Sequence, residues 1–131
     1  MPKFSQQSQL KLATCHPDLQ IVCRALIKQY DFTVLEGFRA QAAQEAACAR
    51  GASRLHWPHS AHNQQPSRAV DIAPYPLDWQ DIRRFQEMIF RFDALAEYLR
   101  LKRKISSRFI YGGYWAGLRD WPHIEIQEET K

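Results

Sequence analysis

Two histidines and two aspartates in this sequence have a spacing that could serve metal-dependent chemistry. His62 lies in a polar segment, and Asp71 follows within the apolar run 69–73, which has the character of a buried strand. A carboxylate inside an apolar strand is costly unless a cation or a hydrogen bond compensates it. The segment Asp120-Trp121-Pro122-His123 supplies a second histidine and a second carboxylate. These four residues are the first candidates for a functional site.

The chemistry that these residue types could perform is hydrolysis assisted by zinc. His62, Asp71 and His123 would form a set of two imidazoles and one carboxylate, which are ligands that zinc uses. A catalytic zinc keeps one position for water and lowers the pKa of that water toward neutrality. Asp120 would then be the additional carboxylate that accepts the proton of the water. Each residue alone has an ordinary structural explanation, so the hypothesis requires the four side chains to converge.

The elements that must position these residues are predicted from the hydrophobic pattern. Apolar residues at helical spacing predict helices over 17–30, 40–50 and 79–102, and Asp78 is the predicted N-cap of the last. Apolar or alternating runs predict strands over 31–35, 69–73, 109–111 and 123–127, and residues 52–68 are predicted to form a long loop. Helices and strands in this irregular order predict an α+β fold, with a small, mostly antiparallel sheet packed with helices.

Length and composition restrict the class of protein. A chain of 131 residues with 45% hydrophobic residues predicts a single domain over 1–131 with a substantial core. Its net charge of +4 suits an anionic partner such as a membrane surface or an acidic cell-wall polymer, but the charge is too small and too dispersed to favour nucleic acid. Three cysteines without a C-x-x-C pair indicate a reducing compartment. We expect no signal peptide and no membrane span, because the N-terminal segment and the rest of the chain lack long apolar runs.

Several short motifs resemble those of the VanY-like family of zinc peptidases, which includes D-Ala-D-Ala carboxypeptidases and phage endolysins. Ser60-Ala61-His62 and Ala69-Val70-Asp71 are similar to the family's Ser-x-His and Ala-x-Asp motifs, and Asp120-Trp121-Pro122-His123 is similar to its second histidine motif. Glu36-Gly37-Phe38-Arg39 and Gly112-Gly113-Tyr114-Trp115 resemble two further segments of the family. The resemblance covers about residues 15–127, which is nearly the whole chain.

This resemblance implies a Hedgehog/DD-peptidase-like fold and a role for each matched residue. It implies one zinc ion per chain, bound by His62, Asp71 and His123, with Asp120 as general base and acid. It implies that Arg39 stabilises an oxyanion or binds a substrate carboxylate, for which a guanidinium is suited. It also suggests contacts with the substrate by Ser60, Trp115 and Gln44. His56 and His59 flank the same loop, but only His62 has the Ser-x-His context.

The small size of the chain most resembles the phage endolysin branch of this family. Its members are L-alanyl-D-glutamate endopeptidases, which cut the stem peptides of bacterial peptidoglycan during host cell lysis. The resemblance therefore implies peptidoglycan as the partner and a monomeric enzyme. It implies that the enzyme stays in the host cytoplasm until a holin gives it access to the cell wall.

Three other functions stay open at this point. The same zinc chemistry would serve a D-Ala-D-Ala carboxypeptidase, and the sequence does not separate the two specificities. Cys15, next to His16 and just before a predicted helix, could belong to a cysteine-type wall peptidase, since a helix N-terminus lowers the pKa of a thiol. A non-catalytic wall-binding module is the third alternative, although the complete candidate metal set argues against it.

Overall fold

The computed structural model describes residues 2–117 and 119–128 of the chain. Its helices are α1 (Gln6–Leu12), α2 (Pro17–Leu26), α3 (Gln41–Ala49) and α4 (Ile82–Leu101). Its strands are β1 (Phe32–Glu36), β2 (Ala69–Pro74), β3 (Phe109–Tyr111) and β4 (His123–Ile126). Two short 3-10 helices cover Ala61–Asn63 and Gly112–Tyr114.

The four strands form one antiparallel sheet in the order β1-β2-β4-β3. This arrangement confirms the predicted α+β class and the antiparallel sheet. Because β4 lies between β2 and β3, the strand that begins at His123 pairs directly with the strand that contains Asp71. The register places Asp71 opposite His123. Two residues that are 52 positions apart in sequence therefore share one face of the sheet.

The two faces of the sheet have different compositions. Alternation along β2 and β4 directs Val70, Ile72, Ile124 and Ile126 into the core, and each is at most 4% exposed. Helix α4 covers this face, and the ring of Phe92 packs edge-on against Phe109 at a centroid distance of 5.2 Å. Burying each large apolar side chain stabilises the fold by roughly 1.5–3 kcal/mol. Asp71, His123 and Glu125 lie on the opposite face of the sheet.

A β-bulge in β1 adds a third element to that polar face. Val34 lies opposite Ile72, whereas Glu36 lies opposite Asp71, so β1 has one more residue here than β2. A bulge of this kind bends the strand and redirects the residues that follow it. Glu36 is thereby placed beside Asp71, and the chain continues directly into Gly37 and Arg39.

Some predicted boundaries were wrong, and the main reason is local hydrogen bonding. Helix α4 begins at Ile82 rather than at residue 79, and its N-cap is Asp81, whose side chain accepts from the Arg84 amide. The Asp78 carboxylate instead accepts from the Gln80 amide at 2.9 Å and forms a separate turn. Helix α2 ends at Leu26, four residues before the predicted end.

Helix α1 was not predicted at all. Its seven residues give only two turns, which is too short for a clear periodic pattern. Tertiary contacts hold the helix in place: Leu12 is fully buried, and the Ser8 hydroxyl accepts from the Val34 amide at 3.1 Å. None of the described helices is both long enough and apolar enough to cross a membrane.

Candidate metal centre and active site

His62 is positioned by a 3-10 helix inside the predicted loop. The Ser60 side chain caps this helix and accepts from the His62 amide at 3.2 Å, while the Ser60 amide donates to the Asn63 side chain at 3.0 Å. Asn63 also donates to the backbone carbonyl of Arg39 at 3.0 Å. These bonds fix a polar segment against the sheet, and the His62 ring is only 2% exposed as a result.

His62, Asp71 and His123 converge on one point. The Nε2 atom of His62 and the Nδ1 atom of His123 each lie 3.2 Å from the same carboxylate oxygen, Oδ1 of Asp71. One ligand atom from each residue lies within 4.8 Å of those of the other two. Among the described residues, this is the group of histidine, cysteine and acidic side chains that could hold a metal ion.

The outer nitrogens of both histidines are already used by the protein. His62 donates from Nδ1 to the Gly37 carbonyl at 2.8 Å, and His123 donates from Nε2 to the Glu125 carboxylate at 2.8 Å. In a neutral imidazole, the other nitrogen then carries a lone pair. Both lone pairs are directed at an oxygen that also carries lone pairs, so the arrangement needs a cation or a proton at its centre. Metal-binding histidines are held by hydrogen bonds of this outer kind.

The charge states of Asp71 and His123 depend on their surroundings in the site. Burial alone would raise the pKa of Asp71, but the charges and hydrogen bonds of His62 and His123 outweigh it and hold that pKa well below its usual range. Burial alone would lower the pKa of His123, but its bonds to Asp71 and Glu125 raise it to about 9. In the metal-free protein, a proton on His123 therefore supplies the positive charge that the site requires.

Asp120 lies in the same cleft as these three residues and is held by a tight turn. Its amide donates to the Gly112 carbonyl at 3.0 Å, and its own carbonyl accepts from the His123 amide at 3.1 Å. A Cβ atom on Gly112 would collide with the Asp120 backbone oxygen and would lie 2.9 Å from the His123 Cβ, so only glycine fits here. Burial and the nearby charge of Asp71 raise the pKa of the Asp120 carboxyl.

Arg39 extends from the end of the bulged segment toward Asp71. Its Nη2 atom lies 3.6 Å from Asp71 Oδ2, and its Nη1 atom donates to the Gln44 side chain at 2.9 Å. Its buried Nε atom has no hydrogen-bond partner within residues 2–117 and 119–128, and the Glu36 carboxylate is 3.7 Å away. This guanidinium therefore has donor capacity left over beside the candidate metal ligands.

An open cleft of about 780 Å³ contains the candidate ligands, Asp120 and Arg39. Ser60 and Trp115 also line it, and the Trp115 ring lies 5.0 Å from the His123 ring. Gln44 is fully buried, so its position suits a role in holding Arg39 rather than direct contact with a substrate. Three further cationic side chains line the walls of the cleft: Arg50, Arg54 and Arg119.

The fold thus brings together all of the main residues that the motifs singled out. His59 is exposed and takes no part in the cluster. The sequence motifs assign no role to Glu125 or to the Gly37 carbonyl. Alternation along β4 already indicated that Glu125 shares a face with His123, whereas the Gly37 contact is made by a backbone atom and leaves no signal in side-chain types.

The positions of Cys15 and His16 argue against a cysteine-type peptidase. Cys15 is 1% exposed, and burial raises the pKa of its thiol to about 12, which disfavours the nucleophilic thiolate. The His16 ring accepts from the Asp18 amide at 3.0 Å and caps α2. Its Nδ1 atom is therefore engaged with the helix and not with the thiol.

Comparisons with known proteins agree with the geometry of this site. The family of phage L-alanyl-D-glutamate peptidases matches residues 1–127. The chain is 32% identical over 133 residues to the L-alanyl-D-glutamate peptidase of Escherichia phage T5, covering 98% of this chain and 91% of that protein.

The structure is also similar to the crystal structure of the Serratia marcescens L-Ala D-Glu endopeptidase ChiX. The TM-score is 0.73 at 25% sequence identity, and the match covers 95% of this chain and 90% of the other. The resemblance inferred from the motifs is therefore confirmed, as is the peptidase fold that it implied. This chain belongs to the phage L-alanyl-D-glutamate peptidase family.

Proposed function

We propose that this protein is a zinc-dependent endopeptidase that hydrolyses the L-alanyl-D-glutamate bond of peptidoglycan stem peptides during phage-induced lysis. One observation carries the proposal. In a member of this family, two histidine lone pairs and one aspartate oxygen meet in an open cleft that also contains Asp120 and Arg39. The metal is proposed to be zinc, because imidazole nitrogens with a carboxylate oxygen suit that ion.

Bound zinc would supply a Lewis acid and would lower the pKa of a water molecule held beside it. Asp120 would then transfer the proton between the attacking water and the leaving group. Its carboxylate accepts the proton that the attacking water loses and later donates it to the leaving amine of the D-glutamyl residue. The raised pKa of Asp120 suits both steps, since a carboxyl group that titrates closer to neutral pH can both accept and release a proton.

Arg39 is proposed to bind the oxygen that becomes negative in the transition state. Its unused Nε donor and its weakly engaged Nη2 atom lie beside Asp71, next to the candidate metal site. Preorganised donors of this kind stabilise developing charge because they need no rearrangement during the reaction. Gln44 holds the guanidinium from the other side, so the direction of its donors is fixed.

The charge of the cleft walls fits a peptide that carries carboxylates. A glutamyl residue within a chain that continues through one of its carboxyl groups keeps the other one free. Arg54 and Arg119 line the cleft, and neither forms a salt bridge with a carboxylate of residues 2–117 or 119–128. We propose that they bind the free carboxylates of the stem peptide.

Mass spectrometry of digested peptidoglycan tests the proposal. Purified sacculi incubated with the zinc-loaded protein should yield stem fragments with a new D-glutamyl amino terminus, and a chelator should abolish them. Release of free D-alanine instead would identify a D-Ala-D-Ala carboxypeptidase. Intact sacculi bound by the protein without cleavage would identify a wall-binding module.

The route to the substrate is proposed from the family resemblance. We propose that the enzyme acts as a monomer and stays in the host cytoplasm until a holin opens the way to the cell wall. Expression alone should leave host cells intact, and co-expression with a holin should lyse them. Lysis by the enzyme alone would contradict the requirement for a holin, and a dimer in sedimentation analysis would contradict the monomer.

A further inference from the structure

A second group of reactive side chains lies outside the candidate metal site. It contains Cys48 near the end of α3, His56 in the following loop, and Glu45 on the helix turn before Cys48. The Cys48 sulfur lies 3.4 Å from His56 Nε2, and His56 Nδ1 lies 2.8 Å from Glu45 Oε2. The second oxygen of Glu45 accepts from the Trp57 amide at 2.8 Å, which fixes the carboxylate.

The direction of these hydrogen bonds follows from the chemistry of the groups. An ionised carboxylate has no proton to give, so His56 donates from Nδ1 to Glu45. The Nε2 atom of the neutral ring is then an acceptor, and the Cys48 thiol donates its proton toward it. A nucleophile, a base beside it and a third group that orients the base form the arrangement that activates thiols in enzymes.

Exposure separates Cys48 from the two other cysteines. Cys15 and Cys23 are 1% and 0% exposed, and burial raises the pKa of both thiols. Cys48 is only partly buried, and the His56 and Glu45 side chains beside it are 68% and 44% exposed. Small molecules in solution can therefore reach this thiol and its base, while the other two are protected by the core.

We propose that Cys48 is a modification site, at which a thiol activated by His56 and oriented through Glu45 exchanges with small disulfides. In this reaction the thiol proton passes to His56 Nε2, and the Cys48 sulfur attacks one sulfur of the disulfide. A new bond joins Cys48 to that sulfur as the original S–S bond breaks. The departing thiolate takes the proton from His56, so Cys48 is oxidised to a mixed disulfide and half of the small disulfide is reduced to a thiol.

The position of Cys48 couples this modification to the cleft. Gln44, one helical turn earlier, donates to the Leu55 carbonyl at 2.6 Å and to the Ser53 hydroxyl at 3.0 Å, and it holds Arg39 through its oxygen. Ser53 and Leu55 line the cleft. A group attached to Cys48 would stand between α3 and His56 and would displace this wall, so modification should slow hydrolysis; this consequence rests on the proposed function.

The first experiment measures how fast an aromatic disulfide, 5,5′-dithiobis(2-nitrobenzoate), labels the native zinc-loaded protein. We expect one label per chain, located on Cys48 by peptide mass spectrometry and absent from Cys48→Ser. The rate should fall by about tenfold or more in His56→Gln, because the base is lost, and by less in Glu45→Gln. His59→Gln, in the same loop, is the matched control and should label at the original rate.

Labelling of His56→Gln at the rate of the unaltered protein, or labelling of Cys15 or Cys23, would overturn the proposal.

The second experiment compares peptidoglycan hydrolysis before and after labelling. Hydrolysis should slow several-fold, recover when a phosphine reductant removes the label, and stay constant in Cys48→Ser. Unchanged hydrolysis by fully labelled protein would refute the coupling to the cleft. Failure of the proposed function would appear separately, as absence of hydrolysis in the unlabelled protein, and would leave the labelling result intact.

Discussion

In each histidine of the candidate metal site, one ring nitrogen forms a hydrogen bond with the surrounding protein and the other faces the site. His62 gives its outer N–H to a backbone carbonyl, and His123 gives its outer N–H to the Glu125 carboxylate. These bonds fix both the tautomer and the orientation of each ring, so the inner nitrogens are presented without rearrangement. At this scale, a residue that never touches the metal can still determine how well the metal binds.

Replacement of Glu125 tests this dependence. In Glu125→Gln, the amide oxygen can still accept from His123 Nε2, but the negative charge that makes the imidazole a stronger ligand is lost. We expect the affinity for zinc to fall by about 10- to 100-fold, measured by competition with a chromophoric chelator. Glu97→Gln removes the same charge from an exposed site on α4 and should leave the affinity unchanged. Equal affinities for all three proteins would show that Glu125 has no such role.

The role of Asp120 predicts a loss of chemistry without a loss of metal. Asp120→Asn keeps the size of the side chain and removes its ability to accept a proton. We expect kcat to fall by about 10²- to 10⁴-fold while one zinc per chain remains bound, as measured by elemental analysis. Asp78→Asn, in the surface turn before α4, is the control and should keep full activity. A normal kcat in Asp120→Asn would refute the proposed mechanism.

At the scale of elements, the site depends on places where regular structure is interrupted. The bulge in β1 turns Glu36 and the residues after it toward Asp71. The 3-10 helix at Ala61–Asn63 holds His62, and the second one, at Gly112–Tyr114, supports the turn that carries Asp120. Regular strands supply Asp71 and His123, and these interruptions bring the remaining groups to them.

Gly112 allows a direct test of one such interruption. In Gly112→Ala, the added methyl group would collide with the Asp120 backbone oxygen and displace the turn. We expect a loss of about 1–3 kcal/mol in the free energy of unfolding by urea, together with a marked fall in kcat. Gly51→Ala adds a methyl group where, apart from its chain neighbours, no atom of the described residues lies within 4 Å, at a backbone φ of +78°. This control should lose stability through strain yet keep its kcat; a similar loss of kcat in both variants would contradict the argument.

The two loops that carry Arg54 and Arg119 should determine substrate affinity rather than the rate of bond cleavage. The two residues line the cleft from different loops, and the Arg54 guanidinium lies near Gly117 in the loop of Arg119. In Arg54→Gln and Arg119→Gln, we expect KM for soluble stem peptides to rise about three- to tenfold, at nearly constant kcat, because an ionic contact with a substrate carboxylate is lost. Arg83→Gln, an exposed arginine of α4, is the control for net charge. A fall in kcat without a change in KM would assign the two arginines to chemistry instead.

The sequence predicted the residues of the candidate site better than the groups that hold those residues in place. His62, Asp71, Asp120 and His123 could be predicted because the chemistry requires particular side-chain types, and those types stand in recognisable motifs. The carbonyl of Gly37 could not, since it is a backbone atom brought into place by the bulge. The contact of Cys48 with His56 also follows no pattern, because it joins a helix to an irregular loop.

Among the helices and strands, too, some could be predicted from their own residues and others depend on contacts made elsewhere in the fold. Strands β2, β3 and β4 were predicted within one residue, because each is a short run of largely apolar residues, which is typical of a strand. The start of α4 was misplaced, because Asp78 and Asp81 are both suitable caps and the choice between them depends on the local turn. Helix α1 was missed, since its stability comes from contacts with β1 that its own seven residues do not reveal.

For the whole molecule, the charge balance of the site predicts how metal and pH together affect stability. In the metal-free protein, the pKa of His123 is raised from 6.5 to about 9. A raised pKa means that the proton stabilises the folded state, so this contribution is complete below pH 6.5 and is lost as the pH rises through 9. The Tm of chelator-treated protein should therefore fall between pH 6.5 and 9.

Zinc should remove most of that pH dependence, because the metal supplies the positive charge that the proton otherwise provides. Thermal unfolding of the zinc-loaded and chelator-treated proteins at several pH values across this range measures both effects. His59→Gln should behave like the unaltered protein in both states. A chelator-treated protein whose Tm rises or stays constant toward pH 9 would contradict the proposed role of His123.

The sheet separates what keeps this protein folded from what is proposed to make it an enzyme. Val70 and Ile72 point to one side of β2, and Asp71 between them points to the other. Substitutions on the two sides that lie far apart and share no partners should have free-energy effects that add when they are combined. A protein engineer could therefore raise the thermal stability through substitutions on the apolar side. Substitutions that adapt the cleft to a different cell wall could be selected separately. The two sets of substitutions could then be merged into one chain with little mutual interference.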